Sequence, residues 1–183
     1  VLRERGLALE AEVAAGFANL AGPMQRDGVR LEEAAAQTLQ HLLVERRPVQ
    51  QPVLLSADGR RVSTPDFIYW DGDALVIHEA KLTLRPERRP DIALQMAHAA
   101  AIATELAGAP VARLVVTNGN HEPVVITPPS PQEYAAAIAR AEALVSDAPE
   151  PDLLLAHSVC ENCPFYEHCW AGAEAEGRVE IMS

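Results

Sequence analysis

Lysine is almost absent from this 183-residue chain. Fourteen of its fifteen cations are arginines, and Lys81 is the single exception. An ammonium is a compact point charge whose pKa moves readily on burial, so a lone lysine fits a catalytic role better than a solvated one. An arginine-rich, alanine-rich composition also follows from genome base composition, so the singularity of Lys81 carries weight only in company. Apolar runs of the roughly 18 residues that a membrane span needs are missing. Signal and lipidation patterns are missing too, which makes a cytoplasmic protein with no membrane partner the expectation. The formal net charge of −11 excludes a surface coated in basic residues. It leaves room for a local positive groove, because Arg46, Arg47, Arg60, Arg61, Arg85, Arg88 and Arg89 lie near one another in sequence. Cysteine is scarce, and all three fall within ten residues at Cys160, Cys163 and Cys169. An odd cluster of this kind in a cytoplasmic chain excludes a disulfide framework and points to metal or cluster ligation. No internal repeat is visible.

The length bounds the chain to one core domain, here 1–150, with a small cysteine-rich segment at 151–183. Val1 already lies inside a helical pattern, so a preceding segment is expected. Leu9, Val13 and Phe17, four apart, predict a helix over about 3–20, ended by Gly22-Pro23. A second amphipathic helix is predicted over about 31–45. The period then changes to two: a short strand at 53–55, a turn at 57–60, a strand at 62–70, a turn at Asp71-Gly72-Asp73 and a strand at 74–81. Asp91 is the expected N-cap of a long helix to about Leu106, closed by Gly108. A buried strand at 111–117, a turn, a short strand at 124–127 and a helix at about 132–145 follow. Helices that precede, interrupt and follow a mixed sheet predict the α/β class.

Chemistry concentrates in the hairpin Thr64–Lys81. Side chains two apart on a strand share a face, so Glu79 and Lys81 point the same way, and the hairpin returns Asp66 beside them. Two converging carboxylates repel unless a cation lies between them, and hard Mg²⁺ or Mn²⁺ suits such oxygen ligands. With a lysine beside them, these parts suffice for metal-assisted phosphodiester hydrolysis. An ordinary surface hairpin with a Glu/Lys pair is the competing account. Near the C-terminus, Cys160, Cys163 and Cys169 form C-x2-C-x5-C, three corners of one metal centre. His157, three residues upstream, would complete a set that zinc accepts.

Pro65-Asp66 followed by Glu79-Ala80-Lys81 resembles the PD-(D/E)xK nuclease signature. Gln95 on the following helix resembles the glutamine motif of the RecB-like branch, although the tyrosine that often accompanies it is absent and His98 stands nearby. The branch also carries a glycine and a metal-binding histidine on its first helix. Gly6 is present without the histidine, and Glu10, four residues on, is the alternative ligand. The resemblance implies a restriction-endonuclease-like core in which Asp66, Glu79, Lys81 and Gln95 are catalytic, with Asp66, Glu79 and Glu10 at the Mn²⁺ or Mg²⁺ site. It implies that Arg85, Arg88 and Arg89 guide DNA. Iron–sulfur members of the branch hold a [4Fe–4S] cluster with one upstream cysteine and three downstream. The fourth ligand is then expected ahead of Val1, with His157 and zinc as the rival. The whole pattern is similar to the small nuclease of CRISPR adaptation modules, which trims single-stranded DNA or overhangs alongside the integrase. A RecB- or AddB-like repair nuclease working with a helicase, and a catalytically degenerate DNA-binding scaffold subunit, are the alternatives.

Overall fold

The computed structural model describes residues 2–24, 28–146 and 166–175. Helix α1 spans Leu2–Ala15 and stops short of the expected 20. Gly16, a poor helix former, and Phe17 instead close a turn, their N–H groups donating to the carbonyls of Val13 and Ala14 at 3.1 Å each. Helix α2 (Leu31–Leu39) runs on into a wide π-helical turn at Gln40–Val44, so the expected 31–45 element is one helix with a loosened end. The Leu42 carbonyl in that turn accepts the Trp70 indole N–H at 2.7 Å, tying the helix end to the hairpin.

Strand β1 (Val49–Gln50) was not anticipated: two residues are too few for a period-two pattern. Strands β2 (Leu54–Leu55) and β3 (Val62–Ser63) pair antiparallel as a separate two-stranded sheet. The strand expected over 62–70 therefore breaks, and β4 (Phe67–Asp71) starts only after Pro65, which has no N–H to donate to a ladder. Strand β5 (Ala74–Ala80) returns antiparallel to β4 from the turn at Gly72, whose φ of 63° is the left-handed value the turn requires. Helix α3 (Pro90–Ala107) crosses to β6 (Val111–Thr117), which lies parallel to β5, and β7 (Pro123–Val125) closes the far edge. The main sheet is thus mixed, in the order β1-β4-β5-β6-β7, and flanked by helices.

Two local expectations need correction. Asp91 does not cap α3: Arg89 holds the N-cap position, Pro90 takes the first helical place, and Asp91 in the first turn pairs with Arg89. Strand β6 is buried only in its second half, Ala112 and Arg113 being exposed at its start. The far end of α3 follows expectation, with Gly108 in the left-handed conformation at φ 60°. Helix α4 (Pro131–Ser146) opens on a capping box in which Ser130 and Glu133 exchange hydrogen bonds.

Alternation along the strands divides the core. Leu75 and Ile77 of β5 pack with Ile92, Met96 and Ile102 of α3 and with Leu114 and Val116 of β6. On the other face, Phe17 beyond α1 meets the rings of Phe67, Tyr69 and His78. The chain divides into two compact units, Val1–Ala136 and Ala137–Ser183. The first carries the sheet. The second carries most of α4 and helix α5 (Tyr166–Ala175).

Candidate active site

The register of β4 and β5 pairs Phe67 with His78, so the residues just beyond, Asp66 and Glu79, fall opposite each other. The Ala80 N–H donates to Asp66 Oδ2 at 2.7 Å, which fixes that carboxylate against the next strand. Glu79 shares the α3 face with Leu75 and Ile77 and is buried to 2 % exposure. A buried carboxylate needs partners. Lys81 Nζ stands 2.8 Å from Glu79 Oε2, and Gln95 of α3 donates to Glu79 Oε1 at 3.5 Å, a long contact. The backbone of Lys81 is held in turn, its N–H donating to the Thr117 carbonyl of β6 at 3.0 Å.

Electrostatics at this point are strained toward a cation. Burial first, and the Asp66 charge second, push the Glu79 carboxyl up to about 7, although Lys81 pulls it back. Burial lowers the Lys81 ammonium, but Glu79, then Asp66 and Glu10, more than offset this and hold its pKa above the ordinary value. Glu10 is therefore close enough for its charge to act on Lys81. Its Oε1 accepts hydrogen bonds from Gln51 at 2.9 Å and Gln50 at 3.1 Å. Successive strand residues point to opposite faces, but Gln51 leaves the strand at a left-handed φ of 46°, so both amides reach one oxygen. The Gln51 N–H also donates to the Asp66 carbonyl at 2.7 Å, linking the Glu10 clamp to the carboxylate pair.

The sequence-predicted residues therefore do not all stand alike. Asp66, Glu79, Lys81 and Gln95 come together, and Glu10 lies beside them on its amide clamp. His98 bonds Tyr134 at 3.1 Å and takes no part. Arg85, Arg88 and Arg89 are exposed around the short turn Pro86–Arg88 that leads into α3. Arg89 is engaged by Asp91, and Arg88 is 4.0 Å from Glu87. Cys169 lies half-buried on α5, whereas Cys160, Cys163 and His157 lie outside the described residues. Gln50, Gln51 and Thr117 were not anticipated, because the side-chain partners of the two glutamines and the strand partners of Thr117 lie 36 to 41 residues away and leave no local pattern.

Among the described residues, no three His, Cys, Asp or Glu side chains are gathered closely enough to hold a metal ion by themselves. The donor set nevertheless fits Mg²⁺ or Mn²⁺, since such ions are commonly held by one or two carboxylates, with waters and substrate phosphate supplying the rest. The raised Glu79 carboxyl beside Asp66 is the feature such an ion would relieve. No family model matches the chain, and no curated protein matches it.

Proposed function

We propose that this protein is a divalent-metal-dependent deoxyribonuclease acting on single-stranded DNA or overhangs. The observation that carries the reading is the convergence of Asp66, Glu79 and Lys81 at one strand end, with Gln95 reaching in from α3. The parallel pair β5 and β6 ends there, and the crevice outside the carboxyl ends of such strands is the usual ligand site of an open α/β sheet. Asp66 and Glu79 would hold Mg²⁺ or Mn²⁺. A bound ion supplies Lewis acidity toward a phosphoryl oxygen and a water of lowered pKa.

The chain's own groups do the rest. Lys81 Nζ, a donor with no acceptor role, holds a water oxygen near phosphorus or neutralises charge on a non-bridging oxygen. Water adds to phosphorus as the bond to the leaving sugar oxygen breaks, the attacking water losing its proton to solvent and the leaving oxygen taking one from solvent. Glu79 keeps the ammonium charged and aimed, and Gln95 fixes the free oxygen of Glu79. Arg85 and Arg88, exposed beside the strand end, meet the backbone phosphates.

A role in processing DNA ends beside the CRISPR integrase is the specific setting we favour. The net charge of −11 suits a protein that works docked on a basic partner more than one that grips DNA alone. Within this proposal the three cysteines hold a [4Fe–4S] cluster that clamps the C-terminal segment. The test is cleavage of single-stranded DNA in Mn²⁺ by wild type, Asp66→Ala and Lys81→Ala. Loss in both variants supports the reading, and equal cleavage by all three proteins refutes it. Co-purification with an integrase, as opposed to a helicase, supports the adaptation setting.

A further inference from the structure

On the sheet face opposite Glu79, a cavity of about 330 Å³ opens between α1 and the ends of β4, β5 and β6. This is the small end of the roughly 300–1,000 Å³ range of ligand pockets. Its walls include the rings of Phe17, Tyr69 and His78, whose centroids lie 5.0 Å (Phe17–Tyr69) and 6.4 Å (Tyr69–His78) apart. Its rim is polar: His121 Nδ1 lies 2.9 Å from Glu12, and Thr117 Oγ1 bonds His78 Nε2 at 2.8 Å. Among the described residues His78 Nδ1 has no hydrogen-bond partner, a rare condition for a buried polar atom.

A cavity built only as packing has no use for half-buried aromatic walls and a polar rim together. A planar heterocycle does. It stacks on aromatic faces and presents donors and acceptors at its edge. The position narrows the class further. His78 and Glu79 are neighbours on β5 facing opposite ways, and the loop after Thr117 packs on the chain leaving Lys81, Gly119 N–H donating to the Thr83 carbonyl at 3.1 Å. One strand end therefore carries the carboxylate pair on one side and the cavity on the other.

We propose that this cavity is a nucleobase subsite, which receives an unpaired base of a strand whose backbone crosses the β5–β6 edge at Lys81. The choice of nucleic acid among planar ligands rests on the nuclease reading above. A duplex cannot wrap this edge with its bases stacked inside, so the subsite selects single strands.

The experiment uses metal-free protein, so that nothing is cleaved, and a short single-stranded oligodeoxynucleotide carrying 2-aminopurine. Wild type is expected to quench the probe by stacking. Tyr69→Ala should bind about tenfold more weakly, in line with the loss of base stacking, and His121→Asn should also bind more weakly because the imidazole is lost from the rim. His121→Asn guards against a folding artefact, since His121 is exposed at a left-handed φ of 63° that Asn tolerates. An abasic site in place of the probe, read by competition against the labelled strand, should weaken wild type by the same factor and cost the variants nothing further. Absence of quenching by wild type, unchanged binding by both variants, or an equal abasic penalty in all three proteins overturns the proposal. Quenching of this pattern without any cleavage in Mn²⁺ retires the nuclease reading and leaves the subsite standing. Cleavage that depends on Lys81, with no such pattern, does the reverse.

Discussion

At the scale of single residues, Glu79 is a carboxylate buried at a cost. Its carboxylate is 2 % exposed, faces Asp66 and has its pKa raised from the ordinary 4.5 to about 7. Between those values the folded protein binds more protons than the unfolded chain, so this group's contribution to stability falls as pH rises through that window. His78 and His98 work the other way: burial lowers both, so their contribution is lost as pH falls below the ordinary 6.5. Comparison with Glu79→Gln cancels the histidines. In metal-free urea unfolding, wild type is expected to lose about 3 kcal/mol relative to Glu79→Gln from pH 4.5 to 7.5. Added Mn²⁺ should reduce that loss, and a pH-independent difference would mean that Glu79 is not strained. A second residue-scale prediction concerns Thr38, fully buried, whose Oγ1 donates to the Ala34 carbonyl and accepts the Val53 N–H at 2.9 Å each. Thr38→Val keeps the shape but orphans the Val53 N–H. A loss of about 1–3 kcal/mol in the same unfolding assay is expected.

At the scale of elements, the site depends on short connections that bring distant segments to one strand end. β1 is two residues long, yet it delivers Gln50 and Gln51 to Glu10 on α1 and passes a hydrogen bond to Asp66. The double substitution Gln50→Ala, Gln51→Ala should leave the fold intact and lower cleavage about 10–100-fold, the usual cost of losing the groups that orient a site. Unchanged cleavage would show that Glu10 needs no positioning. This is also where sequence reading ran out. The β4–β5 hairpin was legible because Asp71-Gly72-Asp73 is local turn chemistry flanked by a period-two pattern. The strand β6 was legible because Val111–Thr117 is a compact apolar run. The Gln50–Gln51 clamp was not, since tertiary pairing decided it over spans of 40 and 41 residues, and the break at 64–66 was marked only by Pro65, which cannot donate to a ladder. Asp66, Glu79, Lys81 and Gln95 were read from spacing and resemblance, and the fold supplies the reason the spacing works: residues 66 and 79 meet across an antiparallel pair.

At the scale of the whole molecule, the five-stranded mixed sheet places a carboxylate pair on one face of a strand end and an aromatic cavity on the other. The C-terminal cysteines belong to this scale because, in the proposal, one cluster gathers three of them from a ten-residue span. Under that proposal, anaerobically purified protein is expected to contain iron and absorb broadly near the violet. Replacement of Cys160, Cys163 or Cys169 by Ser should cause misfolding before any loss of chemistry. Stoichiometric zinc without iron would transfer the site to His157 and the three thiolates.

The claim on which the rest depends is that Asp66, Glu79 and Lys81 form one hydrolytic centre. Its most direct measurement is the rate of single-stranded DNA cleavage in Mn²⁺ by wild type, Asp66→Ala and Lys81→Ala, each checked for folding. The account predicts that both variants fall by roughly 100-fold or more with unchanged secondary structure. Cleavage by either variant at the wild-type rate would contradict it.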